Sequence, residues 1–149
     1  MEAIKRLDFP LIVIPQEAKF SRICKIGLAC DMKDVIETVP IHEIRNIVNE
    51  FHAELHVLHV SPESVGEFDT EKKEESSDLQ QMLLSMNPRY DFIKGIDVEE
   101  EIIQFAEKNK LDLLIVIPKY DNLLYKIFQK SNSDRIVLHA HIPVLTIHE

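Results

Sequence analysis

Leu113, Leu114, Ile115, Val116 and Ile117 stand in an unbroken aliphatic run closed by Pro118. The run has no period-two alternation, so a strand built from it must be covered on both faces, as the central strands of parallel α/β sheets are. A helical pattern over residues 97–110 precedes it, and a second aliphatic run, residues 143–147, follows after a long connection. Together they read as a β-α-β unit with its crossover. Open sheets of this kind bind ligands beyond the carboxyl ends of their central strands, which directs the search for a site to residues 118–133.

The remaining chain supplies the other layers. Phe9-Pro10-Leu11-Ile12-Val13-Ile14-Pro15 is too short for a helix and is bracketed by prolines, so it reads as an edge strand. Its pattern is echoed by Ile142-Pro143-Val144-Leu145-Thr146-Ile147. Residues 23–30 give the next strand, and Asp31 opens the loop after it. Pro40 suits a first helical turn, with Ile41, Ile44, Ile47, Val48 and Phe51 on one face. Residues 54–60 read as an inner strand.

Residues 61–78 set seven acidic side chains against two lysines, five of the nine net negative charges, and are expected to form a solvated, mobile loop. Leu79, Met82, Leu83 and Met86 make a short helical stripe, and residues 90–94 another strand. Asp97 and Glu100 form a capping box for a helix that buries Val98, Ile102, Phe105 and Ala106. Leu123, Leu124, Ile127 and Phe128 give a further stripe, and Ser131 or Ser133 caps a last helix. Strands and helices alternate, which fits an α/β fold with a doubly wound parallel sheet.

Composition narrows the function. A chain of 149 residues that is 45% hydrophobic fits one domain. Residues 1–20 read as an N-terminal extension with an edge strand or linker, and 21–149 as the domain. The net charge of −9 argues against nucleic-acid and anionic-membrane partners. No apolar run approaches the ~20 residues that span a bilayer, and residues 1–8 lack a signal peptide's apolar region, so a cytoplasmic location is expected. Cys24 and Cys30, at opposite ends of one strand and roughly 20 Å apart, cannot pair and are expected to be small buried residues.

With Gly27, Gly66 and Gly95 its only glycines, the chain holds neither a Walker-type loop nor a Gly-x-Gly-x-x-Gly motif. His56 and His59 point to opposite faces of a strand, and His139 and His141 have no Cys or acidic ligand at metal-site spacing. No Gly-x-Ser-x-Gly elbow occurs. Asp31 and Asp34 after a strand suggest a phosphoacceptor pocket, but the central strand ends Val116-Ile117-Pro118 without an acceptor. No catalytic residue, metal or cofactor is expected.

The segments Lys25-Ile26-Gly27-Leu28-Ala29-Cys30-Asp31, Ala53-Glu54-Leu55-His56-Val57-Leu58-His59-Val60 and Asp112-Leu113-Leu114-Ile115-Val116, with Gly95 ahead of Ile102, accompany the closing run from Ser131 through Pro143 to Leu145. From Ile23 to the C-terminus this pattern resembles the universal stress protein family. The resemblance implies a five-stranded parallel sheet of order 3-2-1-4-5 with helices on both faces, and an ATP site in some members. That site is Gly-x2-Gly-x9-Gly-(Ser/Thr), whose glycines let backbone N–H groups close on phosphate. Counting back from Ser131, the glycine positions fall on Lys130, Tyr120 and Ile117, so all three are replaced. Asp31, Ser131 and Ser133 remain at positions that match the family site.

The resemblance also implies pairing through last strands, in dimers and in tandem halves, one of which this chain would then be. Leu11, Ile12, Val13 and Ile14 are expected to add antiparallel to Val144, Leu145, Thr146 and Ile147, within the chain or exchanged in a homodimer. The leading expectation is a non-catalytic domain of degenerate, non-ATP-binding type that works through association with a second copy or another universal stress protein half. The alternatives are a nucleotide-binding module or slow ATPase with a rebuilt phosphate site using Lys119 and Lys130, and a binder of an apolar ligand beside the stripe from Leu123 to Phe128.

Overall fold

The computed structural model describes residues 10–19, 22–30, 32, 34–62, 70–117 and 140–147. Its elements, in chain order, are β1 (Leu11–Val13), β2 (Lys25–Ala29), α1 (Val35–Thr38), α2 (Ile41–Phe51), β3 (Glu54–Ser61) and α3 (Thr70–Leu83). A 3-10 turn at Leu84–Met86 leads into β4 (Arg89–Lys94), and α4 (Val98–Asn109), β5 (Leu113–Val116) and β6 (Val144–Thr146) complete the series.

The strands make one sheet of order β1-β6-β5-β2-β3-β4. β2 through β6 are parallel and reproduce the order 3-2-1-4-5, while β1 adds antiparallel to β6. Every residue of β5 is buried, as its unalternating run requires. Its amino end is tied to β2 by Asp112, whose Oδ2 accepts from the N–H groups of Cys24 at 2.8 Å and Lys25 at 2.9 Å. Gly27 lets the two strands carry Leu111 and Leu114 over this junction, since a Cβ there would lie 2.7 Å from Leu111 Cδ1.

Two cores sandwich the sheet. On one face Ile26, Leu28, Leu55, Val57, Leu113 and Ile115 pack against Ile44 and Val48 of α2 and Leu79 and Leu83 of α3. On the other Leu58, Leu114, Val116 and Val144 pack against Ile102 and Ala106 of α4. The Asp97 cap forms, with Oδ1 accepting from Glu100 N–H at 3.2 Å, but the Glu100 carboxylate turns to Gln104 instead of closing the box.

Three expectations are corrected. Residues 70–78 are helical, not a loop: Leu79 and Leu83 are fully buried, and the turns before them continue the same helix, with Glu74 exposed and Glu75 half-buried. Residues 63–69 of that stretch lie outside the described residues. Cys24 is exposed because it precedes β2 instead of lying within it, whereas Cys30 is buried. Phe51, placed in the buried stripe of α2, is 40% exposed at the helix end. The sequence also concealed α1, a single turn entered through left-handed Asp34.

Candidate functional site

The order of the sheet reverses between β2 and β5, so the crevice for a ligand lies at their carboxyl ends. β2 and β5 are in register at Ala29 and Val116, which sets Cys30 and Ile117 as the next residues out. Of the positions matched to a nucleotide site, Ile117 is described. It is 3% exposed and belongs to the same apolar cluster as Cys30, Met32, Val35 and Ile147. An isoleucine packed this way supplies van der Waals contacts to that cluster. Asp31, Tyr120, Lys130, Ser131 and Ser133 lie outside the described residues, as do the helix capped by Ser131 or Ser133 and the stripe from Leu123 to Phe128.

The loop leaving β2 is held in place by protein groups. Cys30 N–H donates to Leu58 O at 3.0 Å, and the Cys30 carbonyl lies 3.0 Å from His59 Nδ1, which must carry the proton because a carbonyl only accepts. Met32 and Asp34 both take left-handed backbone, at φ 56° and 46°, a conformation costing non-glycine residues roughly 1–2 kcal/mol. Two contacts offset it: Met32 is buried to 2% exposure, and Val35 N–H donates to Glu75 Oε2 at 2.9 Å. Glu75 escaped the sequence reading. Its signal was the spacing Glu75-Leu79-Leu83, three positions on one helical stripe.

The second candidate region is the β1–β6 end of the sheet. Leu11, Ile12 and Val13 pair with Thr146, Leu145 and Val144, and Thr146 Oγ1 donates to the Leu11 carbonyl at 3.2 Å. Leu11 and Val13 pack onto the α4-side core. Ile12 and Ile14 point the other way and are 49% and 64% exposed. Ile147 is buried, and its N–H donates to Val116 O. After β1 the chain turns at Pro15, and exposed Glu17 approaches His141 Nδ1 at 3.4 Å, a pair of little energetic weight.

The histidines are packed as their strand parity requires. His56 faces α4, edge-on to Phe105, with Nδ1 3.2 Å from Asp91 Oδ2 and Nε2 3.1 Å from Glu54 Oε1, which Arg89 Nε also meets at 2.7 Å. His59 faces the other layer, edge-on to Phe92. The Glu54–His56–Arg89–Asp91 group lies across β3 and β4, with Glu54 and His56 at the amino end of β3, away from the carboxyl-end crevice, and ties those strands together. Burial pushes the Tyr90 phenol above its ordinary value of 10.0. Among the described residues, no group of three or more His, Cys, Asp or Glu is placed to hold a metal, and no helix is long and apolar enough to cross a membrane.

A model of the universal stress protein family matches residues 41–148. A universal stress protein of Methanocaldococcus jannaschii is 31% identical over 139 residues, covering 83% of this chain and 81% of that protein. The chain belongs to the universal stress protein family.

Solved universal stress proteins share the fold. One from Archaeoglobus fulgidus DSM 4304 superposes with a TM-score of 0.62 at 14% identity, over 95% of this chain and 50% of that one, so this chain spans half its length. Another from Archaeoglobus fulgidus, in complex with dAMP, gives 0.55 at 18% identity over 85% of this chain and 99% of that one. At such identities the likeness is one of universal stress protein fold alone.

Proposed function

We propose that this is a non-catalytic universal stress protein domain, cytoplasmic, that works through association with a second copy or another universal stress protein half and binds ATP little or not at all. Residues 21–149 are the domain and residues 1–20 its extension. The observation that carries the reading is Ile117, a core residue at a position where binding members need glycine. Replacing the three glycines forfeits backbone N–H contacts to phosphate, each worth about 1.5–3 kcal/mol. Losing two or three weakens binding by several powers of ten. The exposed Ile12 and Ile14 beside a short edge strand support association at the β1–β6 end.

The second reading is a nucleotide module with a rebuilt phosphate site, and the relative solved with dAMP favours it. Calorimetric titration with Mg-ATP separates the two. Dissociation constants of about millimolar or weaker support the association reading, and values near about 1 μM overturn it. Light scattering after size exclusion tests self-association: a dimer dissolved by Ile14→Asp supports it, and a monomer at every concentration restricts association to a different chain.

A further inference from the structure

The outer side of β1 offers another strand a defined set of groups. Leu114 N–H donates to the Pro143 carbonyl and Ile147 N–H to the Val116 carbonyl, so residues 143, 145 and 147 turn their backbone toward β5, and Val144 and Thr146 turn theirs toward β1. Val144 and Thr146 pair with Val13 and Leu11, whose backbone groups are thereby used. The N–H and C=O groups of Ile12, and of Ile14 next in line, are left to point away from the sheet. Among the described residues no strand lies beyond β1, and the side chains of these same two residues are 49% and 64% exposed.

We propose that β1 pairs antiparallel with β1 of a second copy of this chain, about a two-fold axis through Val13. The inference rests on the reading of association with a second copy, and it names the edge and the register. With the axis there, Ile12 lies opposite the partner subunit's Ile14 and Ile14 opposite the partner subunit's Ile12. Each pair exchanges two backbone hydrogen bonds, which satisfies every outward group of both residues. The four isoleucine side chains gather on one face and bury the apolar surface that each copy alone exposes. Centred on Ile12 instead, the strands would set Ile14 against Pro10, which has no N–H to return, and two carbonyls would stay unpaired. Residues 11–15 carry no charge, so no like charges meet across the axis. β6 takes no part, because β5 and β1 already occupy its two sides.

The full chain with exposed Cys24 replaced by serine tests the register. Val13→Cys lies on the axis, with its Cα about 4.5 Å from that of its own copy, and should give a linked dimer under mild oxidation. Ile12→Cys, at a more exposed position, sits roughly 8 Å from its copy and should stay unlinked. Linking at position 12 in preference to 13, or at neither in a protein that light scattering shows to be dimeric, overturns the proposal and leaves association with a second copy standing. A chain that is monomeric at every concentration overturns both.

Ile12→Pro removes an outward N–H and leaves the bonds to β6 in place, a change that an edge strand tolerates on its solvent side. It should weaken the dimer by about tenfold or more with circular dichroism unchanged. A dimer of unchanged affinity overturns the proposal. Should circular dichroism show the proline variant unfolded, Ile12→Asp takes its place and is held to the same loss of dimer.

Discussion

The carboxyl ends of β2 and β5 and the β1–β6 edge are opposites in what they do with apolar side chains. At the first, where an open α/β sheet offers a crevice, Ile117, Met32 and Val35 are packed away among Cys30 and Ile147. At the second, Ile12 and Ile14 stand in water. Among the described residues, the side chains that follow β2 and β5 directly join the core, while alternate side chains of the edge strand face outward. Burying aliphatic area is worth about 25 cal/mol per Å², so Ile117 contributes to stability in a way that the exposed faces of Ile12 and Ile14 do not.

The largest way to break that contrast is to reopen the crevice. Ile117→Gly removes a buried side chain and should cost about 2–5 kcal/mol in chemical denaturation, without restoring Mg-ATP binding, because Tyr120 and Lys130 still replace the other two glycines. Asp112→Ala comes next. It strands the N–H groups of Cys24 and Lys25 and should cost about 1.5–3 kcal/mol, read by the same denaturation midpoint. Glu75→Ala deprives the N–H of Val35 of its acceptor, and a cost of about 1 kcal/mol with faster amide exchange at Val35 is expected. Unchanged exchange would show that the β2–α1 loop is held by Met32 burial alone.

At the margin the expected stability effects are smaller. Ile14→Asp should change stability by no more than about 0.5 kcal/mol, since the side chain is exposed, while abolishing any association that uses this edge. A large destabilisation would show that Ile14 belongs to the core and would erase the contrast. The smallest effect concerns pH. The Tyr90 phenol is raised above 10.0 by burial, so its contribution to stability is fully present below the unfolded value of 10.0 and is lost as pH rises through the folded value. Near-ultraviolet absorbance should show one tyrosine ionising late, and Tyr90→Phe should remove that phase.

Most of the sheet was legible because its strands carry their own pattern. The uninterrupted run at residues 113–117 demanded two-sided cover, and the prolines bracketing residues 11–14 marked an edge strand. The helix at 70–83 was not legible by composition, because its early turns are acidic and its fully buried apolar residues, Leu79 and Leu83, come near its end. Glu75 went unread for the same reason, and α1 because a single turn has too few residues to show a period. For the site, the sequence showed what was replaced. It could not show that Ile117 is packed against Met32 and Ile147, since those residues meet only through the fold.

The hydrogen bond from Thr146 to Leu11 spans 135 positions of the chain. A contact so distant in sequence carries a large loop-closure penalty and contributes little to the early folding nucleus. During synthesis β1 emerges well before β6, the strand it covers, and must wait for it while the residues between are made. In that interval β2, β3 and β4 can pair with one another, while β1 has nothing to join and β6 does not yet exist. A strand made well before its partner is thus seated only once that partner arrives, so the β1–β6 ladder closes late, over a sheet whose other strands have already paired.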